Sequence, residues 1–153
     1  MLRFHVCWAI LAALLLASLA GCRAAPDDRV PVALVPMIVV ARQDPAATVG
    51  LFYDLLMQKE YAATAALFTE ESVNNITDNG RRSYVEVHRR RAYTQGHVTS
   101  YKILAVRYPD PATAHVDIDI DPDSGWPSEH TVFLTKGSQG WQISGGLSRN
   151  IVP

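Results

Sequence analysis

The chain has 153 residues, 48% of them hydrophobic, and its 14 Lys and Arg against 15 Asp and Glu give a formal net charge of −1. This length suits one domain that can bury a core of its own. The balanced charge gives no support for nucleic-acid binding, and the composition excludes collagenous, multi-pass membrane and disulfide-scaffold proteins.

The amino terminus has the layout of a secretory signal. Arg3 precedes an apolar run at residues 6–17, small residues follow, and 17 of the first 21 residues are hydrophobic. A spanning helix needs about 20 apolar residues, so this run is short for one, although a span over residues 4–22 stays as the alternative. We therefore predict a signal peptide at residues 1–21.

The end of this signal, Leu19-Ala20-Gly21-Cys22, resembles the lipobox of bacterial lipoproteins. The resemblance implies cleavage before Cys22 and a diacylglyceryl group on its sulfur, which would anchor the protein on the extracytoplasmic side of a bacterial membrane. An unmodified cysteine beside an ordinary signal is the alternative. Cys7 lies inside the signal, so the mature domain would have no free thiol and no disulfide.

Residues 22–43 are predicted to be the lipidated cysteine and a tether, and residues 44–153 a single domain. The apolar part of the tether, residues 30–41, contains Pro31 and Pro36. Because proline disrupts helices and is tolerated at sheet edges, we predict that this part is not helical. Part of it should be extended and packed on the domain as an edge strand.

Helices come first in the predicted domain. Asp44-Pro45 is typical of a helix start, apolar residues then recur at helical spacing, and Ser83 is a second candidate cap. The predicted helices are residues 45–58, 61–68 (ended by 69–72) and 84–93 (stopped near Gly96), with residues 73–80 as a loop.

After Gly96 the hydrophobic pattern changes to period two. Short turns between alternating segments predict an antiparallel meander. The fold class is therefore α+β, with N-terminal helices packed on a curved antiparallel sheet of about four strands. The predicted strands are residues 97–108, 112–121, 129–136 and 141–147.

Several segments resemble the nuclear-transport-factor-2-like (NTF2-like, cystatin-like) superfamily, in particular small bacterial lipoproteins of unknown function that carry this domain. The segments are Phe52-Tyr53-Asp54, Lys59-Glu60-Tyr61-Ala62-Ala63, Ala66-Leu67-Phe68, Ser100-Tyr101-Lys102-Ile103, Ala114-His115-Val116 and Gly140-Trp141-Gln142-Ile143. The resemblance implies a cone in which a bent sheet wraps helices around a pocket. It implies no activity, because this fold serves enzymes, binders and assembly modules.

The second predicted strand alternates polar and apolar residues. The polar set, His115, Asp117, Asp119 and Asp121, would share one face. A metal or acid/base site is one interpretation; we favour a solvated outer face, because an acidic face turned inward would need partners to offset its desolvation. No metal site is predicted.

Basic residues concentrate around the third predicted helix. Arg81, Arg82, Arg89, Arg90 and Arg91 are candidates for contact with an anionic partner, although a solvated charged face is the common alternative. His88, His97 and His130 lack zinc-binding spacing, and each is predicted at the surface or at a strand end. Tyr53, Tyr101 and Trp141 are candidates for pocket lining, with plain core as their alternative.

These features predict an exported, membrane-anchored lipoprotein with a non-enzymatic domain that binds a small ligand or an envelope protein. The alternative is an isomerase, dehydratase or cyclase of the same fold that uses an inward His/Asp pair. No catalytic residue, cofactor or nucleic-acid partner is predicted, and a homodimer through the sheet face stays open. Burial of Val116 and Ile118 with Asp117 and Asp119 outside would show that the second strand supplies no acidic pair to a pocket.

Overall fold

The computed structural model describes residues 29–123 and 128–146. The predicted signal, Cys22 and the first part of the tether lie outside these residues, as do residues 124–127, between the second and third predicted strands, and residues 147–153, which include the end of the fourth predicted strand. Among the described residues, a 3-10 turn and five helices precede four strands. These are the turn Val32–Leu34, α1 (Val35–Ala41), α2 (Pro45–Met57), α3 (Tyr61–Ala65), α4 (Glu70–Ile76), α5 (Tyr84–Gln95), β1 (Val98–Asp110), β2 (Thr113–Pro122), β3 (Ser128–Gly137) and β4 (Gly140–Gly145).

The sheet is the predicted antiparallel meander, with strand order β1-β2-β3-β4. Val116 pairs with Val132, and Leu134 pairs with Ile143. These side chains are fully buried under the helices, as is Ile118. The α+β class, with helices on one face of a four-stranded sheet, is confirmed.

α2 is the central helix of the core and begins where it was predicted to begin. The Asp44 side chain accepts a hydrogen bond from the Ala47 N–H at 2.8 Å, and Pro45 occupies the first helical turn. The first N–H groups of a helix have no acceptor within the helix. Asp44 accepts a hydrogen bond from one of them, and Pro45 has no N–H that would need an acceptor. Phe52 and Tyr53 are fully buried on this helix.

The prediction that residues 30–41 are not helical is wrong. Pro36 stands in the first turn of α1, where the N–H that proline lacks would have no acceptor within the helix. Pro31 precedes the 3-10 turn. Ile38 and Ala41 are buried against the core, so this segment packs on the domain as helix instead of as an edge strand.

The prediction of a loop at residues 73–80 is wrong in its first half, where α4 runs from Glu70 to Ile76. Thr69, predicted to help end the preceding helix, caps the start of α4: its Oγ1 accepts from the Ser72 N–H at 3.2 Å. A threonine followed by two glutamates is a helix start by capping and by the helix dipole. The preceding helix, α3, is accordingly shorter than predicted.

α5 follows the prediction closely. The Ser83 side chain accepts from the Glu86 N–H at 3.4 Å, and the helix continues to Gln95. Gly96 ends it with φ of 90°, a backbone conformation that residues with a Cβ rarely adopt. This glycine turns the chain from α5 into β1.

Candidate ligand pocket

A small cavity lies where α5 meets the end of α2, the start of α3 and the start of β1. Its volume is about 60 Å³. The residues that line it are Leu56, Tyr61, His88, Arg91, Ala92, Gly96, His97 and Val98. Two wider and shallower depressions, of about 510 and 550 Å³, lie beside the β3–β4 turn and along the groove between α1 and α2. The small cavity is the one in which charged and aromatic groups converge.

His88 forms the inner wall of this pocket. Its side chain is 3% exposed, and its Nε2 atom has no hydrogen-bond partner among the described residues. Its ring is stacked on Tyr61 with 6.2 Å between centroids, and it lies 4.5 Å from the Tyr84 ring. Burial, together with the nearby charge of Arg91, lowers the pKa of His88 from 6.5 to about 3. The imidazole is therefore neutral at physiological pH.

Arg91 brings the positive charge. Its Nη1 and Nη2 atoms are buried and have no hydrogen-bond partner among the described residues. Burial lowers the pKa of the guanidinium, and the Tyr84 hydroxyl acts in the opposite direction. Arginine still keeps its proton in proteins, so the group presents buried N–H donors that lack an acceptor.

Tyr84 packs against the His88 ring and is itself held by a hydrogen bond to α3. Its hydroxyl makes a 2.9 Å hydrogen bond with Thr64 Oγ1, which itself donates to the Tyr61 carbonyl oxygen at 2.8 Å. Burial raises the pKa of Tyr84, while the Thr64 hydrogen bond lowers it. This link ties α5 to α3 and keeps the aromatic rings around His88 in place.

The pocket is suited to binding an anion more than to acid/base chemistry. Its described lining contains a guanidinium, imidazoles, a phenol and apolar side chains, but no carboxylate. A general base needs a pKa near the working pH, and burial moves the pKa of His88 well below it. An unpartnered guanidinium beside apolar walls is a binding group for a negatively charged ligand.

The acidic residues of β2 lie away from this pocket. Val116 and Ile118 are fully buried, whereas Asp117 and Asp119 lie on the opposite, outer face. Asp117 is paired with Arg107 at 2.7 Å and also accepts from Thr131 Oγ1 at 2.7 Å. The Arg107 hydrogen bonds, followed by that of Thr131, lower the pKa of Asp117. β2 therefore supplies no acidic pair to the pocket.

The other two residues of this polar set share the outer face of β2. His115 packs on the Phe133 ring at 4.8 Å, and Asp121 is exposed. Among the described residues, no group of three His, Cys, Asp or Glu side chains is placed to hold a metal ion.

The aromatic residues predicted to line a pocket occupy other places. Tyr53 is fully buried, 5.4 Å from the Tyr101 ring, and its hydroxyl has no partner among the described residues. Tyr101 donates to Asp54 Oδ1 at 2.9 Å and to the Gly50 carbonyl oxygen at 3.1 Å. Burial, and then Asp54, raises the pKa of Tyr101 to about 12.

Trp141 is also buried, on the far strand of the sheet, with its ring 6.0 Å from that of Tyr108. The structure thus brings two of the three predicted aromatics together, in the core between α2 and β1. None of the three lines any of the three depressions described above.

The five arginines near α5 divide into two groups. Arg81, Arg82, Arg89 and Arg90 are exposed; of these, Arg81 lies 3.8 Å from Asp78 and Arg89 lies 3.3 Å from Glu86. Arg91 is turned inward. The predicted solvated face therefore holds for four of them and not for Arg91.

The prediction that His88 lies at the surface or at a strand end is wrong. It lies in the middle of α5 with its ring in the protein interior. Helical spacing carried the signal: Tyr84, His88 and Arg91 recur at intervals of four and three, which places them on one side of a helix. The run of basic residues around them hid this pattern.

Comparison with known proteins adds a likeness of fold. No protein-family model matches the chain, and no curated protein matches it. Among solved structures, it is similar to a SEC-C motif-containing protein from Rhodopseudomonas palustris, with a TM-score of 0.54, 12% identity, and coverage of 72% of this chain and 85% of that one. It is also similar to a putative NTF2-like transpeptidase from Campylobacter jejuni, with a TM-score of 0.48, 15% identity, and coverage of 67% and 98%. At these identities the likeness concerns the fold alone.

Proposed function

We propose that this protein is an exported, lipid-anchored binding protein whose domain holds a small ligand in the pocket beneath α5. The observation that carries the binding role is that two residues lining one cavity, His88 and Arg91, hold buried polar atoms without hydrogen-bond partners. His88 Nε2 and both Arg91 Nη atoms lack hydrogen-bond partners among the described residues. Because buried polar groups are nearly always satisfied, such a cluster indicates that a ligand completes it.

Such a cluster makes the ligand-free domain less stable. Leaving one buried donor unsatisfied costs about 1–3 kcal/mol of folding free energy, and a single substitution to an apolar residue would remove that cost. A functional role such as ligand binding accounts for keeping the polar residues. The surrounding rings of Tyr61 and Tyr84 hold the cluster in one arrangement. Preorganised polar groups in a small apolar cavity are typical of binding sites for small molecules.

The location at a membrane rests on the amino-terminal sequence. The charged start, the short apolar run and Leu19-Ala20-Gly21-Cys22 together support export followed by lipidation of Cys22. Among the described residues, no helix has the length and hydrophobicity needed to cross a membrane.

The anchor is tested by Cys22→Ser in the full chain expressed in a bacterium. Wild type should incorporate labelled palmitate and sediment with membranes, because palmitate supplies the acyl chains of the anchor. The Cys22→Ser variant should incorporate none and should leave the membrane fraction. Unchanged labelling and fractionation of this variant would contradict the lipid anchor.

The binding role is tested by filling the pocket without changing its charge. Ala92 lines the cavity, whereas Thr94 is exposed on the same helix. We expect at least one class among small carboxylates, amides, amines and sugars to raise the melting temperature of the wild type, since a ligand that binds only the folded state stabilises it. The Ala92→Leu variant should lose this shift, and the Thr94→Leu control should keep it. A wild type that responds to no class, or an Ala92→Leu variant that responds normally, would contradict the proposal.

A further inference from the structure

We infer that the ligand of this pocket is a small carboxylate, held by the Arg91 guanidinium and by His88, with its apolar part against Leu56, Ala92 and Val98. The inference rests on the proposed binding role and specifies the chemistry of the ligand. It is carried by the geometry of the unpartnered groups and by the size of the cavity.

The guanidinium favours an anion that offers two oxygens side by side. Arginine presents parallel N–H groups whose spacing matches two oxygens of a carboxylate or a phosphate, and such paired hydrogen bonds are among the strongest in proteins. Both Arg91 Nη atoms are buried and have no hydrogen-bond partner among the described residues. His88 adds one further donor: as a neutral ring it carries one N–H, which the unpartnered Nε2 can supply to the same anion.

The rest of the lining favours one negative charge and an apolar body. Of the two residues proposed to hold the anion, Arg91 carries a positive charge, and burial, together with that charge, keeps the His88 ring neutral. One positive charge balances a carboxylate but leaves a phosphate dianion partly uncompensated in an apolar site. The side chains of Leu56, Ala92 and Val98 offer hydrocarbon surface instead of further hydrogen-bond donors.

The size of the cavity limits the ligand. A water molecule needs roughly 10–15 Å³ of such space, so a cavity of about 60 Å³ holds on the order of four to six non-hydrogen atoms. A short-chain aliphatic acid fits, and so does the carboxylate end of a longer molecule, such as the carboxy terminus of a peptide. Both sources present the same chemistry to Arg91.

The experiment compares matched ligands by calorimetry on the purified full chain in detergent. Butyrate and butyramide have nearly the same shape, but only butyrate carries the charge. We expect butyrate to bind at least about tenfold more tightly, because hydrogen bonds to a charged group are roughly twice as strong as those to a neutral one. Inorganic phosphate should bind more weakly than butyrate. N-acetylvaline and its amide form a second pair, which shows whether a peptide terminus is preferred to a free short acid.

Variants of α5 assign the contact. The Arg91→Leu variant should lose butyrate binding, and Arg91→Lys should weaken it, because lysine keeps the charge but not the paired geometry. Arg90→Leu is the matched control, since Arg90 is exposed on the same helix, and it should bind as wild type does. Equal affinity for butyrate and butyramide, or unchanged butyrate binding by Arg91→Leu, would overturn the carboxylate inference. If butyramide binds as tightly as butyrate and Ala92→Leu blocks the binding of both, the proposed pocket stands while the carboxylate inference fails.

A separate observation concerns the outer face of α1. This face is apolar and exposed, and α1 contains no charged residue. The exposed fractions are 45% for Val35, 52% for Met37, 56% for Val39 and 71% for Val40. Val32, in the turn before it, is 86% exposed. Exposed apolar residues grouped on one helix in this way are typical of a membrane or protein–protein contact site. We propose that this patch lies in the interface of the lipid bilayer to which Cys22 would be anchored.

This proposal rests on the proposed anchor at Cys22, and the position of α1 in the chain then favours the bilayer as its partner. Arg29 stands seven positions after Cys22, and seven residues span at most about 25 Å when fully extended. An anchor on Cys22 would therefore hold α1 near the membrane surface. Interfacial helices bury their apolar face in the boundary between headgroups and acyl chains, and each buried valine strengthens partitioning by roughly tenfold.

The test places a fluorescent probe at Val40→Cys in the full chain, reconstituted into vesicles that contain brominated lipids. Thr94→Cys on α5 is the control, since Thr94 is exposed and α5 packs chiefly against α3. We expect the lipids to quench most of the fluorescence at position 40 and little at position 94. Equal, weak quenching on membrane-bound protein would overturn the α1 proposal and leave the anchor intact. A probe at position 40 shielded from aqueous iodide but not quenched by lipid would indicate a second protein copy and would also overturn it. Protein that does not bind the vesicles would contradict the anchor as well.

Discussion

Replacing Arg91 with leucine should make the ligand-free protein more stable. The two Arg91 Nη atoms are buried and unpartnered among the described residues, so folding strips water from them without replacing its hydrogen bonds. Each unsatisfied buried donor costs about 1–3 kcal/mol, and exchanging an uncompensated buried charge for hydrocarbon stabilises by a similar amount. The side chain is partly exposed, which reduces the cost. We expect Arg91→Leu to raise the free energy of unfolding by about 1–2 kcal/mol.

Urea denaturation followed by circular dichroism measures this change, and thermal unfolding should show a rise of roughly 3–5 °C per kcal/mol for a domain of this size. Arg90→Leu makes the same change at an exposed position of α5 and should stay within about 0.5 kcal/mol of wild type. If Arg91→Leu instead lowers the free energy of unfolding by about 1 kcal/mol or more, the guanidinium has a partner in the folded protein. The pocket would then lose the argument that a ligand completes it.

Three other changes test other parts of the structure. Because the pKa of His88 falls from 6.5 to about 3 on folding, the unfolded chain binds more protons than the folded protein between these two pH values. The free energy of unfolding should therefore fall by up to about 1.4 kcal/mol per pH unit as the pH decreases through this window. In urea denaturation at a series of pH values, His88→Leu should reduce that slope, and an unchanged slope would contradict the buried neutral imidazole. Gly140→Ala should lower the free energy of unfolding by several kcal/mol, because the φ of Gly140 is +95° and a Cβ there would collide with the backbone of the turn after α1. Gly80 has a φ of +79° but no neighbouring atoms where a Cβ would lie, so Gly80→Ala should cost only about 1 kcal/mol in chemical denaturation. Equal costs would rule out close packing of Gly140 against that turn. In the same assay Ile38→Ala should cost about 2–3 kcal/mol, because Ile38 is only 5% exposed, and Val40→Ala should cost almost nothing, because Val40 is 71% exposed. If Ile38→Ala leaves the free energy of unfolding unchanged, α1 is only a tether.

The elements that the sequence predicted well are those whose signals are local. Asp44-Pro45 and Ser83 cap helices through hydrogen bonds to N–H groups within three residues, so their effect does not depend on the rest of the fold. The alternation along β2 likewise predicted which side chains are buried, because neighbouring residues of a strand point to opposite faces.

The errors arose where local rules allow two outcomes. Pro36 excludes a helix interior but suits a first helical turn, and packing of Ile38 against the core selected the helix. Thr69 can end one helix or begin the next, and it begins α4. In both cases long-range contacts decided between local possibilities of similar free energy.

By itself, the sequence determined the α+β class, the order of helices before strands and the inward face of the sheet, because these depend on caps, turns and hydrophobic period. It also carries the lipobox pattern on which the proposed anchor rests. Only the tertiary structure decided that Arg91 and His88 face inward while Arg89 and Arg90 face solvent. Four consecutive basic residues look alike in sequence, and their surroundings differ only after α5 packs against α3 and the start of β1.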